Sequence, residues 1–389
     1  MSSLAGSVVE AVCRRIERNG PVPFSVVMDE ALYGPAGFYA VGGGAGRRRD
    51  FITSPEVGAL FGSVLATFLD ERWTALGRPD PYLVVEVGAG PGMLARTILA
   101  AAPRCGGSLR YLMVERSAAM RAVHGAHLAL TPADEIMGAM QGGADDPSDR
   151  QPVPGQGPLV ASMAEVPAQR FRGVILANEL LDNLAFDLLE RQADGWAEVR
   201  ADDGGDHLAD GLREVLVSAT AELSQWADEL APDAPVGARI PHQAAARGWV
   251  HDARTTLEAG TVLVIDYCVD TTASLAVRPW PDWLRTYRAH GRGRHPFQDL
   301  GLQDITADVA IDQLPLPTRI RTQGEALRHW GMDRLVSEAR STWHERAAVG
   351  DLAALTARSR VHEADALADP TGLGAFSVLE WDIGRLRLS

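Results

Sequence analysis

The sequence predicts an α/β chain: a seven-stranded, mostly parallel sheet with an N-terminal helical region and an inserted lid. Three observations predict it. Short apolar runs bounded by glycine alternate with segments of helical period, as a parallel sheet with helical crossovers requires. One run leads straight into a glycine-dense turn and then a helical pattern, VVEVGAGPGMLA over residues 84–95. With 389 residues, 46% of them hydrophobic, the chain can bury a large core in one or two domains.

Residues 4–18 and 56–76 place apolar side chains at three- and four-residue spacing, Val57, Leu60, Phe61, Val64, Leu65 and Phe68 among them, and predict helices. The Gly/Pro-rich connection between them carries Tyr33, Pro35, Gly37 and Gly42 to Gly44. It ends in Asp50-Phe51-Ile52-Thr53-Ser54-Pro55-Glu56, where Ser54 suits an N-cap and Pro55 the first helical position. Strands are expected at 82–87, 109–115, 158–162, 173–178 and 261–267, and two more at 317–322 and 374–381 complete seven. Residues 141–158, QGGADDPSDRQPVPGQGP, read as a mobile surface loop. Residues 196–256, with Leu212, Val215, Leu216, Leu223 and Trp226, read as an inserted hairpin with helices, a lid. The expected organisation is therefore 1–77, N-terminal helical region; 78–195, first part of the core; 196–256, insertion; 257–389, remainder of the core.

Composition excludes several chemistries. All 37 basic residues are arginine, so no Walker lysine, kinase lysine or Schiff-base lysine is available. Cys13, Cys105 and Cys268 form no C-x-x-C pair, which argues against a metal site and fits a reducing, cytoplasmic setting. Net charge of −14 disfavours nucleic acid and anionic membrane and favours cationic or neutral partners. Glu10, Arg14 and Arg15 interrupt any signal-peptide pattern, and no run of about 18 uncharged apolar residues predicts a membrane span.

The glycine turn defines the ligand. A dinucleotide fingerprint needs a third glycine at position 93, which is Met93. Glu86, two residues before the turn, would repel a pyrophosphate but attract a ligand carrying an ammonium and a sulfonium. Glu86, Gly88, Gly90 and Gly92 therefore point to S-adenosylmethionine (SAM). Ligands of such sheets lie beyond the carboxyl ends of the strands. Glu115 ends the second strand and can accept from both ribose hydroxyls; a surface ion pair with Arg116 is the plain alternative. Met163 ends the third, where adenine would rest or where it simply packs. The fourth runs into Asn178-Glu179-Leu180-Leu181-Asp182-Asn183, polar groups that are costly to bury unless they face a cleft. Asn178 suits the methionine part of the cofactor. Glu179 and Asp182 suit a cationic acceptor, though Asp182 could instead cap a helix. If the acceptor is a hydroxyl or thiol, His290 and Asp304 are candidate bases.

Eight motifs in order carry a family resemblance: MDEALYGPAGFY (28–39), DFITSPEVGALFG (50–62), VVEVGAGPGMLA (84–95), VERSAAMR (114–121), ANELLDN (177–183), VIDY (264–267), DIT (304–306) and TQGEAL (322–327). The chain resembles the MidA-like SAM-dependent methyltransferases, which include a mitochondrial complex I assembly-factor methyltransferase described as methylating protein arginine. The resemblance implies a class I, Rossmann-like methyltransferase core. By motif, it implies SAM binding at Gly88, Gly90, Gly92 and Glu115, with Thr53, Ser54, Pro55, Glu56, Asn178, Glu179 and Asp182 lining the site. Four positions depart from the pattern. Arg49 replaces the usual glycine, Leu-Leu-Asp-Asn-Leu-Ala follows Asn178-Glu179, Cys268 follows Asp266-Tyr267, and Ala307-Asp308 follow the DIT motif where a histidine is usual. These changes touch the acceptor side more than the cofactor side. The expected partner is a protein with a basic target residue or else a small molecule, with room for a homodimer and no metal. A noncatalytic assembly factor keeping the fold is the remaining alternative.

Overall fold

The structure, a computed structural model, describes residues 2–41, 53–137, 154–203, 212–289 and 291–384, with side chains from Val8 onward. Arg49, residues 141–153 of the expected loop and His290 lie outside the described residues. The chain divides into two units. One comprises Ile52–Glu179, Asp252–Asp266 and Pro317–Ser389; the other comprises Met1–Phe51, Leu180–His251 and Tyr267–Leu316.

The first unit is built on a seven-stranded sheet. Its strands are β1 (Tyr82–Val87), β2 (Leu109–Val114), β3 (Leu159–Met163), β4 (Phe171–Asn178), β5 (Leu257–Asp266), β6 (Arg319–Thr322) and β7 (Ser377–Ile383). Their spatial order is β3-β2-β1-β4-β5-β7-β6. Every pair is parallel except those of β7, which runs against both β5 and β6. Val84 of β1 stands opposite Tyr111 of β2 and Val174 of β4. All six residues of β1 are buried, which is why this strand reads as a continuous apolar run instead of alternating. All seven expected strands are present, with β5 starting four residues earlier than its pattern suggested.

The helix expected at 56–76 is instead two, Ser54–Val57 and Ala59–Ala75, broken at Gly58. Glu363 explains the break. Its carboxylate accepts from the Leu60 N–H at 2.8 Å, capping the longer helix, and it occupies the space a side chain at 58 would need. The N-cap of the short helix is Thr53, not Ser54. Thr53 forms a capping box with Glu56, which leaves the Ser54 hydroxyl to donate to Gln323 at 3.0 Å.

The second unit is mainly antiparallel. Strand Gly195–Asp202 pairs with Asp187–Gln192, with Arg213–Ser218 and with the short Val22–Pro23, while Arg239–His242 pairs with Asp187–Gln192. A three-stranded sheet joins Leu284–Arg288 to Gly291–Arg292 and Asp304–Ala307, and Cys268–Val269 runs parallel to Val309–Ala310. Segments that the sequence assigned to an N-terminal region and to the remainder of the core meet here, because their apolar residues share one core. Phe24 lies 5.3 Å from the Phe186 ring and 5.6 Å from the Phe297 ring. Among the described residues no helix is long and apolar enough to cross a membrane, and no three His, Cys, Asp or Glu side chains are grouped to hold a metal ion.

Candidate functional site

The turn after β1 is made by three glycines with left-handed backbone, Gly88 at φ 74°, Gly90 at φ 53° and Gly92 at φ 81°. L side chains adopt this region at a cost of about 1 kcal/mol or more. Gly88 and Ala89 donate to the Val114 carbonyl, tying the turn to the end of β2. At Gly90 a Cβ would meet nothing within 4 Å, so the crest of the turn is bare backbone facing open space. At Gly92 a Cβ would stand 3.1 Å from Met113 Sδ and 3.3 Å from the His124 ring.

Glu115 stands at the end of β2, half-buried. One carboxylate oxygen accepts from the Gly90 N–H at 2.9 Å and the other from the Ser117 N–H at 2.7 Å. Each oxygen keeps a second lone pair for a ligand hydroxyl. Met163, half-buried, ends β3, and its carbonyl accepts from the Glu115 N–H. Glu86 is buried, and its carboxyl accepts from the Tyr111 hydroxyl at 2.8 Å. Burial pushes its pKa up to about 8, with the Glu115 charge adding to the rise and the Tyr111 bond opposing it. At neutral pH this side chain is therefore mostly uncharged, unlike the carboxylate expected from the sequence.

Asn178 ends β4. Its amide donates to Glu179 Oε1 at 3.1 Å, while its own Oδ1 is buried without a hydrogen-bond partner. Glu179 takes a left-handed backbone, φ 52°, held by its N–H donating to the Ile265 carbonyl. A non-glycine residue held in that region stores strain of order 1–3 kcal/mol, and such positions concentrate at functional sites. The short helix Ser54–Val57 packs against the helix Met93–Ala100 that follows the glycine turn. The first unit thus places the three glycines, Glu115, Met163, Asn178 and Glu179 at or just beyond the carboxyl ends of its strands, with Glu86 inside β1 and the Ser54–Val57 helix packed on the helix after the glycine turn.

Asp182 and Asp304 belong to the second unit. Both are buried, at 5% and 2% exposure. Asp182 accepts from the Thr306 hydroxyl through Oδ2, and its Oδ1 has no hydrogen-bond partner. Asp304 Oδ1 accepts from the Tyr39 hydroxyl at 3.0 Å and from Asn183 Nδ2 at 3.1 Å. Burial raises Asp182 to about 6, and burial with the nearby Asp182 charge raises Asp304 to about 7. The Arg285 charge opposes the rise at Asp182, while Arg285 and Arg278 pair with Asp308 at 2.7 and 3.0 Å. Asp308, which departs from the family pattern, is thereby a two-arginine anchor.

A family model described as "Putative S-adenosyl-L-methionine-dependent methyltransferase" matches residues 64–324. The chain belongs to this family. It is similar to the bovine protein named protein arginine methyltransferase NDUFAF7, mitochondrial, at 28% identity over 317 residues, covering 77% of this chain and 66% of that one. The human counterpart is 27% identical with the same coverages. The chain thus spans about two thirds of the length of these relatives, and only 22% of a fruit-fly homologue that it matches at 40% identity. A crystal structure from Burkholderia thailandensis, bound to S-adenosyl-homocysteine, superposes with a TM-score of 0.77 at 25% identity, covering 99% of this chain and 95% of that one.

The cofactor of this methyltransferase family is SAM, and the residues present fit it. The bare crest at Gly90 and the unpartnered Asn178 Oδ1 are features of a site that receives polar ligand groups. Two residues in contact with these groups were not singled out by the sequence. His124 looked like any helical histidine, although the VERSAAMR motif stops three residues short of it; Tyr39, in the motif MDEALYGPAGFY, carried no role until its contacts with Asp304 and Asn183 were visible.

Proposed function

We propose that this methyltransferase modifies an arginine side chain of a protein. The reading is carried by Asp182, a buried carboxylate with one oxygen lacking a hydrogen-bond partner and with no ion pair to an arginine or histidine among the described residues. A guanidinium supplies five N–H donors in a planar fork and suits such a group. The net charge of −14 also favours a basic target. The names of the mitochondrial relatives support the same acceptor.

In this reading Gly88, Gly90 and Gly92 give the cofactor bare backbone, Glu115 takes its ribose hydroxyls, Met163 lies at adenine and Asn178 holds the amino-acid part. Glu86 lies beneath the turn, and Thr53, Ser54, Pro55 and Glu56 line the site. SAM, when bound, supplies an electrophilic methyl group whose thioether leaves without acid help. The protein's contribution is alignment and electrostatics. Glu179 and Asp182 are the carboxyl groups we propose for the guanidinium, each able to accept from it and raise electron density on one nitrogen. The three cysteines, all thiols, suit a reducing compartment, and the cytoplasm is the one we propose.

Asp304 favours a second reading. A carboxylate poised near pH 7 and oriented by Tyr39 and Asn183 is suited to take a proton from a hydroxyl or thiol of a small molecule. Radiolabelled methyl transfer into lysate, split by size, separates the two. Label recovered as methylarginine in the protein fraction supports the first, and label confined to small molecules removes it. Glu179→Gln is expected to cut incorporation about tenfold or more while leaving S-adenosyl-homocysteine affinity unchanged. Unaltered incorporation would remove Glu179 from the acceptor site.

A further inference from the structure

We propose that His124 is a positioning residue of the cofactor site, fixing the crest of the glycine turn through Gly90 and joining it to the end of β3 through Ser162. This rests on the reading of residues 88–92 as the cofactor turn. His124 ends the helix Ala118–His124 and is fully buried. Its Nε2 lies 2.7 Å from the Gly90 carbonyl oxygen and its Nδ1 lies 2.8 Å from Ser162 Oγ. A carbonyl oxygen only accepts, so Nε2 carries a proton. In a neutral ring Nδ1 then accepts from the Ser162 hydroxyl.

The Gly90 N–H is taken at the same time by Glu115. Both polar groups of the residue at the crest are therefore held by side chains from the single segment 115–124. The ring also crowds position 92, where a Cβ would stand 3.3 Å from His124 Cδ2 and 3.1 Å from Met113 Sδ. Ser162 immediately precedes Met163 at the end of β3. One imidazole thus spans the two places where the turn and the adenine end of the ligand meet the sheet. A histidine that only filled the core would need neither nitrogen bonded to the turn, and its replacement would act through stability alone.

Two near-isosteres separate these roles. His124→Gln keeps an N–H at the position of Nε2 and can still donate to Gly90. His124→Asn keeps polar atoms near Ser162 but is too short to reach Gly90. Calorimetric titration with S-adenosyl-homocysteine is expected to show about tenfold weaker binding for the Asn variant and binding within about threefold of wild type for the Gln variant, although both lose the same ring from the core. Equal affinities for the two variants, whether wild-type or weakened, overturn the proposal. If either variant fails to fold, ring-labelled wild-type protein decides by NMR. A solvent-protected Nε2–H that shifts together with the Gly90 amide on saturation with S-adenosyl-homocysteine supports the proposal, and a missing or unresponsive signal overturns it. Wild-type protein that takes up no S-adenosyl-homocysteine removes the cofactor reading and this inference together. Wild-type uptake with equal variants removes the inference alone.

Discussion

Gly90 and Asp304 are each held by two side chains, yet the partners come from different distances along the chain. Gly90 is gripped by Glu115 and His124, 25 and 34 positions away, within one strand–turn–helix–strand–helix passage. Asp304 is gripped by Asn183 and Tyr39, 121 and 265 positions away, across three segments of the antiparallel unit. The first arrangement fixes backbone and leaves a bare surface. The second fixes a titratable carboxyl and keeps its proton near physiological pH. A short passage can specify the first by itself, whereas the second exists only after a large part of the chain has folded.

The largest effect is expected where the local arrangement is broken. Gly92→Val places a β-branched residue at φ 81° and drives its side chain toward Met113 and His124. The left-handed backbone alone costs about 1–2 kcal/mol, and the displaced ring frees the Gly90 carbonyl. Affinity for S-adenosyl-homocysteine should fall about 100-fold, near 2.7 kcal/mol, as calorimetry would read it. Retention within threefold would mean that the turn is not the cofactor floor.

Asp304→Asn tests the distant arrangement. Asparagine can keep Oδ1 as acceptor for Tyr39 and Asn183 but cannot take a proton. With a hydroxyl or thiol acceptor, methyl incorporation should drop about 100-fold. With a guanidinium acceptor the loss should stay below about tenfold. The size of the loss therefore discriminates between acceptor classes.

The same contrast governs what was legible beforehand. The positions of the strands could be anticipated because continuous apolar runs and glycine turns are local signals, and β1 to β7 follow them closely. The break at Gly58 was not legible, since its cause, Glu363, lies in a remote helix. The antiparallel unit was hidden for the same reason. Its core joins Phe24, Phe186 and Phe297, each an ordinary apolar residue in its own neighbourhood. The buried run carrying Glu86 was legible, but the charge state of that side chain was not, because protonation depends on a burial that no motif states.

A smaller effect concerns stability. Asp182 and Asp304 ordinarily titrate near 3.8 and are raised to about 6 and about 7 in the folded protein. The native state thus holds protons that the unfolded chain releases above about pH 4, so stability falls as pH rises from about 4 to about 7. Below that window both states are protonated and the difference vanishes. Each tenfold gain in proton affinity on folding corresponds to about 1.4 kcal/mol at most. Wild-type protein should melt several degrees higher at pH 5 than at pH 8, and Asp304→Asn should shrink that difference. An unchanged pH dependence in the variant would assign the drift to other groups.

The smallest effect is expected at Glu86, and it decides which electrostatic account of the cofactor site holds. With a pKa of about 8 the Glu86 carboxyl is neutral at pH 7 by about ten to one. Glu86→Gln at pH 7 then replaces one neutral acceptor for the Tyr111 hydroxyl by another, and affinity for S-adenosyl-homocysteine should change less than threefold. At pH 9 wild-type Glu86 is ionised, and the cationic sulfonium of SAM should gain from it where the neutral thioether gains less. The ratio of wild-type to variant affinity for SAM is therefore expected to grow between pH 7 and pH 9. Titrations in buffers of different ionisation enthalpy would register the proton released when the wild-type protein binds the cation near pH 7.5. A tenfold loss in the variant already at pH 7 would instead mean that Glu86 meets its ligand as a carboxylate. In that case burial costs this side chain less than its position inside β1 implies.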